Sequence, residues 1–161
     1  MTLEQDIGFL KMMTFGKTGE KNPDEILKDI NDNGIVQKYF LTESDGQNFT
    51  DHVFKGFQVK NGIFDGHHSE YLYPLQEDDV SRTGNLDKSK AYKVHIGGKG
   101  YTTFFPIQMP CEDIIVAALL VYQNPDKVQK DNSYEAYVNE YRMRVKIIMI
   151  GQKISNAYPV I

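Results

Sequence analysis

Three of the chain's four histidines fall in one stretch. His52 opens His52-Val53-Phe54-Lys55-Gly56, and His67 and His68 sit in Asp65-Gly66-His67-His68-Ser69. Histidine, with an unperturbed pKa of ~6.5, both takes and gives a proton near neutrality. Two histidines brought together across a turn make an acid/base pair. Gly56, Gly62 and Gly66 punctuate the stretch, as a chain that doubles back requires. Surface histidines beside turns show the same spacing, so the pair gains meaning only from what the rest of the chain adds. Lys99 lies in Gly97-Gly98-Lys99-Gly100, four residues before Thr103. The loop lacks the G-x-x-x-x-G-K-[ST] spacing and no helix follows it, so it is not a nucleotide phosphate loop. In a strand, however, residues i and i+4 share a face. A cation and a hydroxyl on one face hold a phosphate or an oxyanion. Tyr158, in Tyr158-Pro159, is either a packing ring or a platform on which a base stacks.

One reaction uses all of these groups. RNA is cut without a metal when one histidine takes the 2′-hydroxyl proton and another protonates the leaving 5′-oxygen. A lysine steadies the charge on the phosphorane-like transition state. A hydroxyl and an aromatic ring hold the base and ribose. His52, His68, Lys99, Thr103 and Tyr158 fill these roles in chain order. Two rival readings remain. One is a metal-dependent hydrolase on His67, His68 and Asp65, with Glu70 nearby, although the cluster lacks the i,i+4 histidine pair of a helical zinc site. The other is a module on the same scaffold that binds RNA or protein without cutting. Cys111 precedes an apolar helix with no nucleophile signature around it and reads as a buried or capping thiol.

The elements that must position these residues are mixed. Thr2 to Met13 is an amphipathic helix with Leu3, Ile7, Leu10 and Met13 on one face. Asn22-Pro23-Asp24-Glu25 starts a second helix that runs to about Asn33, with Gly34 as its stop. Ile35 to Leu41 is a helix or a strand. The polar loop Ser44–Asn48 is the best boundary, separating an N-terminal helical region (1–47) from a unit covering 48–161. His52 to Val59 reads as a helix end or a strand, Glu70 to Leu75 as a short aromatic segment and Gln76 to Lys88 as a charged loop. Lys90–Ile96 and Tyr101–Phe105 alternate as strands. Glu112 and Asp113 lead a buried apolar helix, Ile114 to Tyr122. Lys127 to Tyr141 is polar and open to helix. Val145–Ile150 and Lys153–Val160 form a closing hairpin across Gly151-Gln152. The class is α+β: N-terminal helices, then antiparallel sheet. With 161 residues, 40% hydrophobic and 25% charged, the chain suits an ordinary globular protein. A net charge of -4 leaves any nucleic-acid contact to a local basic patch. A single cysteine forbids an intrachain disulfide and suits a reducing compartment or a route that does not rely on disulfides. The N-terminus, with Glu4 and Asp6, has no signal-peptide pattern, and the longest apolar run is too short to span a bilayer. On this reading export would depend on a carrier.

The same residues resemble the EndoU endoribonucleases, a family that includes the coronavirus uridylate-specific enzyme. His52-Val53-Phe54-Lys55-Gly56 looks like the family's H-[IV]-x-x-G around the first catalytic histidine. Gly66-His67-His68 looks like G-x-H around the second, a register that favours His68 over His67. Lys99 to Thr103 matches K-x-x-x-[ST], which favours Lys99 over Lys90 and Lys93 as the catalytic lysine. Thr103-Phe104-Phe105-Pro106, followed by a linker and an apolar helix, is especially similar to bacterial EndoU toxin domains of the contact-dependent inhibition type. Ala157-Tyr158-Pro159 is similar to the closing segment with the base-stacking tyrosine. The resemblance covers roughly Asn48 to Ile161. It implies two antiparallel sheets around a cleft, with His52, His68 and Lys99 catalytic in a ribonuclease-A-like acid/base mechanism. Thr103, Tyr158 and His67 would contact substrate. It further implies cleavage of single-stranded RNA at uridines, leaving 2′,3′-cyclic phosphates, with no cofactor or metal. The expected partners are RNA, transfer RNA in particular, and a cognate immunity protein. The chain would have no membrane anchor and be a monomer apart from the immunity complex. It would be delivered as part of a larger toxin and act in the target-cell cytoplasm.

Overall fold

The computed structural model describes residues 1–15, 23–46, 48–54, 89–96, 100–106 and 108–161. Helices come first. α1 (Leu3–Met12) starts on a reciprocal cap: the Thr2 hydroxyl accepts from the Gln5 amide at 3.1 Å, and the Gln5 side chain accepts from the Thr2 amide at 2.9 Å. Ile7 and Leu10 are buried, as the sequence period requires. α2 (Pro23–Asp32) buries Ile26 and Ile30. It ends before Gly34, but Gly34 is not its stop; it is the first residue of α3 (Gly34–Tyr39). The physical reason is Asn33. Its Oδ1 accepts from the amides of Ile35 and Val36, at 3.0 and 3.1 Å, and so supplies partners to the new helix's orphan donors. The segment from Ile35, open to helix or strand in the sequence, is helical up to Tyr39. Phe40 then forms a parallel bridge with Ile154, and the Leu41 amide donates to the Ile154 carbonyl at 3.0 Å. This covers part of the edge of the last strand.

After a short 3-10 turn, α4 (Phe49–Val53) carries His52. A five-residue helix is not stable by itself. The Asn48 side chain caps it, accepting from the Thr50 amide at 3.0 Å, and Phe49, Val53 and Phe54 are buried. The sheets follow. β1 (Tyr92–Ile96) and β2 (Gly100–Phe104) pair antiparallel, with Lys93 opposite Thr103. α5 (Cys111–Gln123) is buried on nearly every side, from Cys111 through Leu119. That is why its sequence is apolar all round. It packs between α1 and a four-stranded antiparallel sheet in the order β3 (Val128–Lys130), β4 (Ser133–Val138), β5 (Met143–Ile150), β6 (Lys153–Val160).

The polar segment 127–141 therefore corrects the expectation of helix. Tyr134, Ala136 and Val138 alternate with Glu135 and Tyr137, a period of two hidden by the polar residues between them. Asp131 turns the chain with φ 52°, a left-handed conformation that aspartate tolerates better than most residues. The β5–β6 hairpin closes over Gly151-Gln152 as expected, with Gly151 at φ 61°. The register slips once in this pair, between Ile148 and Met149, leaving Ser155 as an extra residue. Without it, Ile154 and Ala157, an odd number of positions apart, would not both be buried. The architecture is α+β, with N-terminal helices and two antiparallel sheets. Among the described residues no helix is long and apolar enough to cross a membrane.

Candidate functional site

A cleft of about 450 Å³ opens where three elements meet. Its lining includes His52 and Val53 from α4, Thr102 and Thr103 from β2 with Phe105 just beyond it, and Asn156 to Tyr158 from β6. Each element is held there by local chemistry. α4 packs on β6 through its buried face, which leaves His52 exposed at the helix's last turn. At the end of β2 Phe104 and the following Phe105 are buried, while Thr102 is exposed and Thr103 partly so. Tyr92 stacks on Phe104 at 5.5 Å between ring centroids and ties β1 to this arrangement. On β6, the bulge at Ser155 sets the phase in which Ala157 and Pro159 point into the core and Tyr158 does not. Bulges beside active sites commonly serve to re-aim a side chain in this way. Pro159 lacks an amide donor, and β6 is an edge strand of its sheet, where proline is tolerated.

Of the six residues expected at the site, His52, Thr103 and Tyr158 line this one cleft, although 51 and 55 positions of chain separate them in turn. His67, His68 and Lys99 lie outside the described residues, as do Asp65 and Glu70 of the metal reading. Lys93, one of the competing lysines, sits opposite Thr103 in the β1–β2 register, but it is not part of the cleft lining. Cys111 is buried at the first position of α5, in keeping with a packing thiol. Sequence reasoning missed Asn156. Its side chain accepts from the Ala157 amide at 2.8 Å and it reaches the cleft two residues before Tyr158. The signal was available: in a strand, the residue at i−2 from a site tyrosine shares its face.

The arrangement offers a titratable ring, two hydroxyls, an amide and a phenol around a space of ligand size, at the junction of two antiparallel sheets. Such a set defines a polar cleft that can exchange protons and grip a flat ring, on an α+β scaffold. The bacterial EndoU nuclease family model matches residues 46–161, and the chain belongs to that family. It is a nuclease by membership. No curated protein and no solved structure gives a significant match. The matched region contains α4, both sheets and all three cleft residues foreseen from the sequence.

Proposed function

We propose that the chain is a metal-independent endoribonuclease that cuts single-stranded RNA 3′ of uridines and leaves 2′,3′-cyclic phosphate ends. The observation that carries this reading is the convergence of His52, Thr103 and Tyr158 on one cleft inside an EndoU-family domain. In the proposed reaction one histidine of the pair His52 and His68 removes the proton from the 2′-hydroxyl. O2′ attacks phosphorus, the bond from phosphorus to O5′ breaks, and the other histidine protonates O5′. Lys99 balances the charge gathered on the non-bridging oxygens. Tyr158 stacks on the base, Thr103 hydrogen-bonds its edge, and His67 adds a substrate contact. The test is incubation with total RNA, with and without EDTA, followed by mapping of the new ends. Cuts 3′ of uridine that ignore the chelator support the reading. Activity abolished by EDTA sinks it and favours the metal-dependent alternative, and RNA binding without cutting favours the non-catalytic one.

The biological role follows as part of the same proposal. The nuclease acts as the toxic domain of a bacterial competition system, delivered within a larger polypeptide to cut transfer RNA in a neighbouring cell's cytoplasm. A cognate immunity protein would cover the cleft in the producer, and complementary charge would speed its capture. Support comes from the bacterial branch of the family and from a fold that uses no disulfide, its one cysteine being buried. Expression inside a bacterium should arrest growth, His52→Ala should abolish the arrest, and co-expression of the neighbouring open reading frame should relieve it. Harmless expression of a protein that cuts RNA well in vitro would point instead to a housekeeping role.

A further inference from the structure

Tyr158, at the border of the cleft, has neighbours across the four-stranded sheet. In an antiparallel sheet, residues paired directly across strands project from the same face, with Cβ atoms about 4.5–5.5 Å apart. Tyr158 on β6 pairs with Lys146 on β5, and Lys146 pairs in turn with Glu135 on β4. On β5, Val145, Ile147 and Met149 are buried, so Arg144, Lys146 and Ile148 belong to the opposite, outer face. That face is partly open: Arg144, Lys146 and Ile148 are half-buried, and Tyr137, opposite Arg144, is 49% exposed. The obvious structural role for Lys146 is an ion pair with its cross-strand neighbour Glu135. Glu135 pairs instead with Arg144, through the Arg144 Nε–Glu135 Oε2 ion pair. Among the described residues Lys146 makes no ion pair. An ammonium on a flexible four-carbon stem is therefore left beside the ring that borders the cleft.

We infer that Lys146 is a phosphate-binding residue of the substrate path: it holds the phosphodiester flanking the nucleotide that stacks on Tyr158. The RNA strand then runs from the cleft across the outer face of the four-stranded sheet. The chain's acidic balance makes such a contact more consequential, because with a net charge of -4 no general positive field holds the strand there. The inference rests on the nuclease reading of the cleft and adds a substrate requirement to it, namely a phosphate beyond the scissile one. A surface lysine kept only for solubility would show no dependence on substrate length.

The experiment measures cleavage and binding of oligouridylates of two, four and eight nucleotides across a salt series. It compares wild type, Lys146→Ala, Lys146→Arg, and Lys130→Ala as a control on the exposed edge strand β3. Lys146→Ala is expected to weaken binding of the octamer several-fold, with the loss shrinking steadily toward the dimer. The slope of log K against log salt should fall by about 0.7, the value for one phosphate contact on a single strand. In cleavage the loss should fall on KM rather than kcat. Lys146→Arg should restore most of the binding, and Lys130→Ala should lose none. The inference is overturned if Lys146→Ala leaves the salt slope and the length dependence as in wild type, or if Lys130→Ala shows an equal loss. A wild type that cuts RNA with an inert Lys146 defeats this inference alone. A wild type that neither cuts nor binds RNA defeats the nuclease reading with it.

Discussion

His52 sits on a five-residue helix, so the site's integrity depends on what pins that helix down. Phe49 is the main pin. It is fully buried, with its ring 4.4 Å from that of Phe40 and 6.2 Å from that of Phe54, the latter pair edge to face. Truncating a buried phenylalanine to alanine costs about 3–5 kcal/mol. Two aromatic partners, each worth a fraction of that beyond area, place Phe49→Ala at about 4 kcal/mol. In urea, with a slope of roughly 2 kcal/mol per molar for a domain of this size, the midpoint should fall by roughly 2 M with the slope unchanged. Phe49→Leu retains most of the apolar volume and should lose less than half as much. At a temperature where circular dichroism shows Phe49→Ala still folded, cleavage should fall by roughly tenfold or more, because a shift near 1 Å in a reacting group is enough for that. Two results would refute the reasoning. A stability loss below about 1 kcal/mol would mean that α4 is not held by this ring. A full stability loss with undiminished cleavage would mean that α4 does not position a catalytic group.

Three further expectations concern other links in the account. Thr103→Ala should relax the preference for uridine more than it lowers the rate, which sequencing of cleavage ends at all four bases would show; equal cutting at all four by the wild type contradicts it. Asp6 is buried, and its carboxylate accepts from the Tyr39 hydroxyl and, at 3.0 Å, from Lys38; the Tyr39 bond above all holds its pKa below the usual carboxylate value despite the opposing effect of burial. The depressed folded value means that its stabilisation is present above the unfolded value, ~3.9, and is lost as pH falls through the folded one. Asp6→Asn should therefore flatten the acid limb of the stability curve, measured by urea midpoints between neutral and strongly acid pH. Cys111 is buried, so it should react with a thiol reagent far more slowly in the native protein than in urea, and fast native labelling would show that the N-terminus of α5 opens.

The legible parts of the fold were those whose pattern is long and self-consistent. α1 announces itself by apolar spacing, α5 by an unbroken apolar run after two acids, and the β5–β6 hairpin by alternation on either side of Gly151. The parts that misled are short and decided by single side chains. Gly34 reads as a helix stop until Asn33 is seen to cap the next helix with two hydrogen bonds. β3 and β4 read as polar because an antiparallel sheet's outer face carries charged residues, as Glu135 shows. For the candidate site, His52, Thr103 and Tyr158 were singled out by residue type and family-like spacing, and no local period could have told that they line one cleft. Their meeting depends on α4 and β2 both packing on β6, a long-range fact. Asn156 escaped because, although the strand Lys153–Val160 was legible, the face that carries Tyr158 was not followed two residues back along it.

The central claim is that the nucleophile is the RNA's own 2′-hydroxyl. The most direct measurement uses an oligonucleotide with a single uridine, made once with ribose and once with 2′-deoxyribose at that nucleotide only. Wild-type protein should cut the ribose version 3′ of the uridine, giving a 2′,3′-cyclic phosphate identified by mass, and should leave the deoxy version intact. His52→Ala should lower the first rate by ~10²-fold or more. Cleavage of the deoxy substrate, or a product with a 3′-hydroxyl end, would contradict the account.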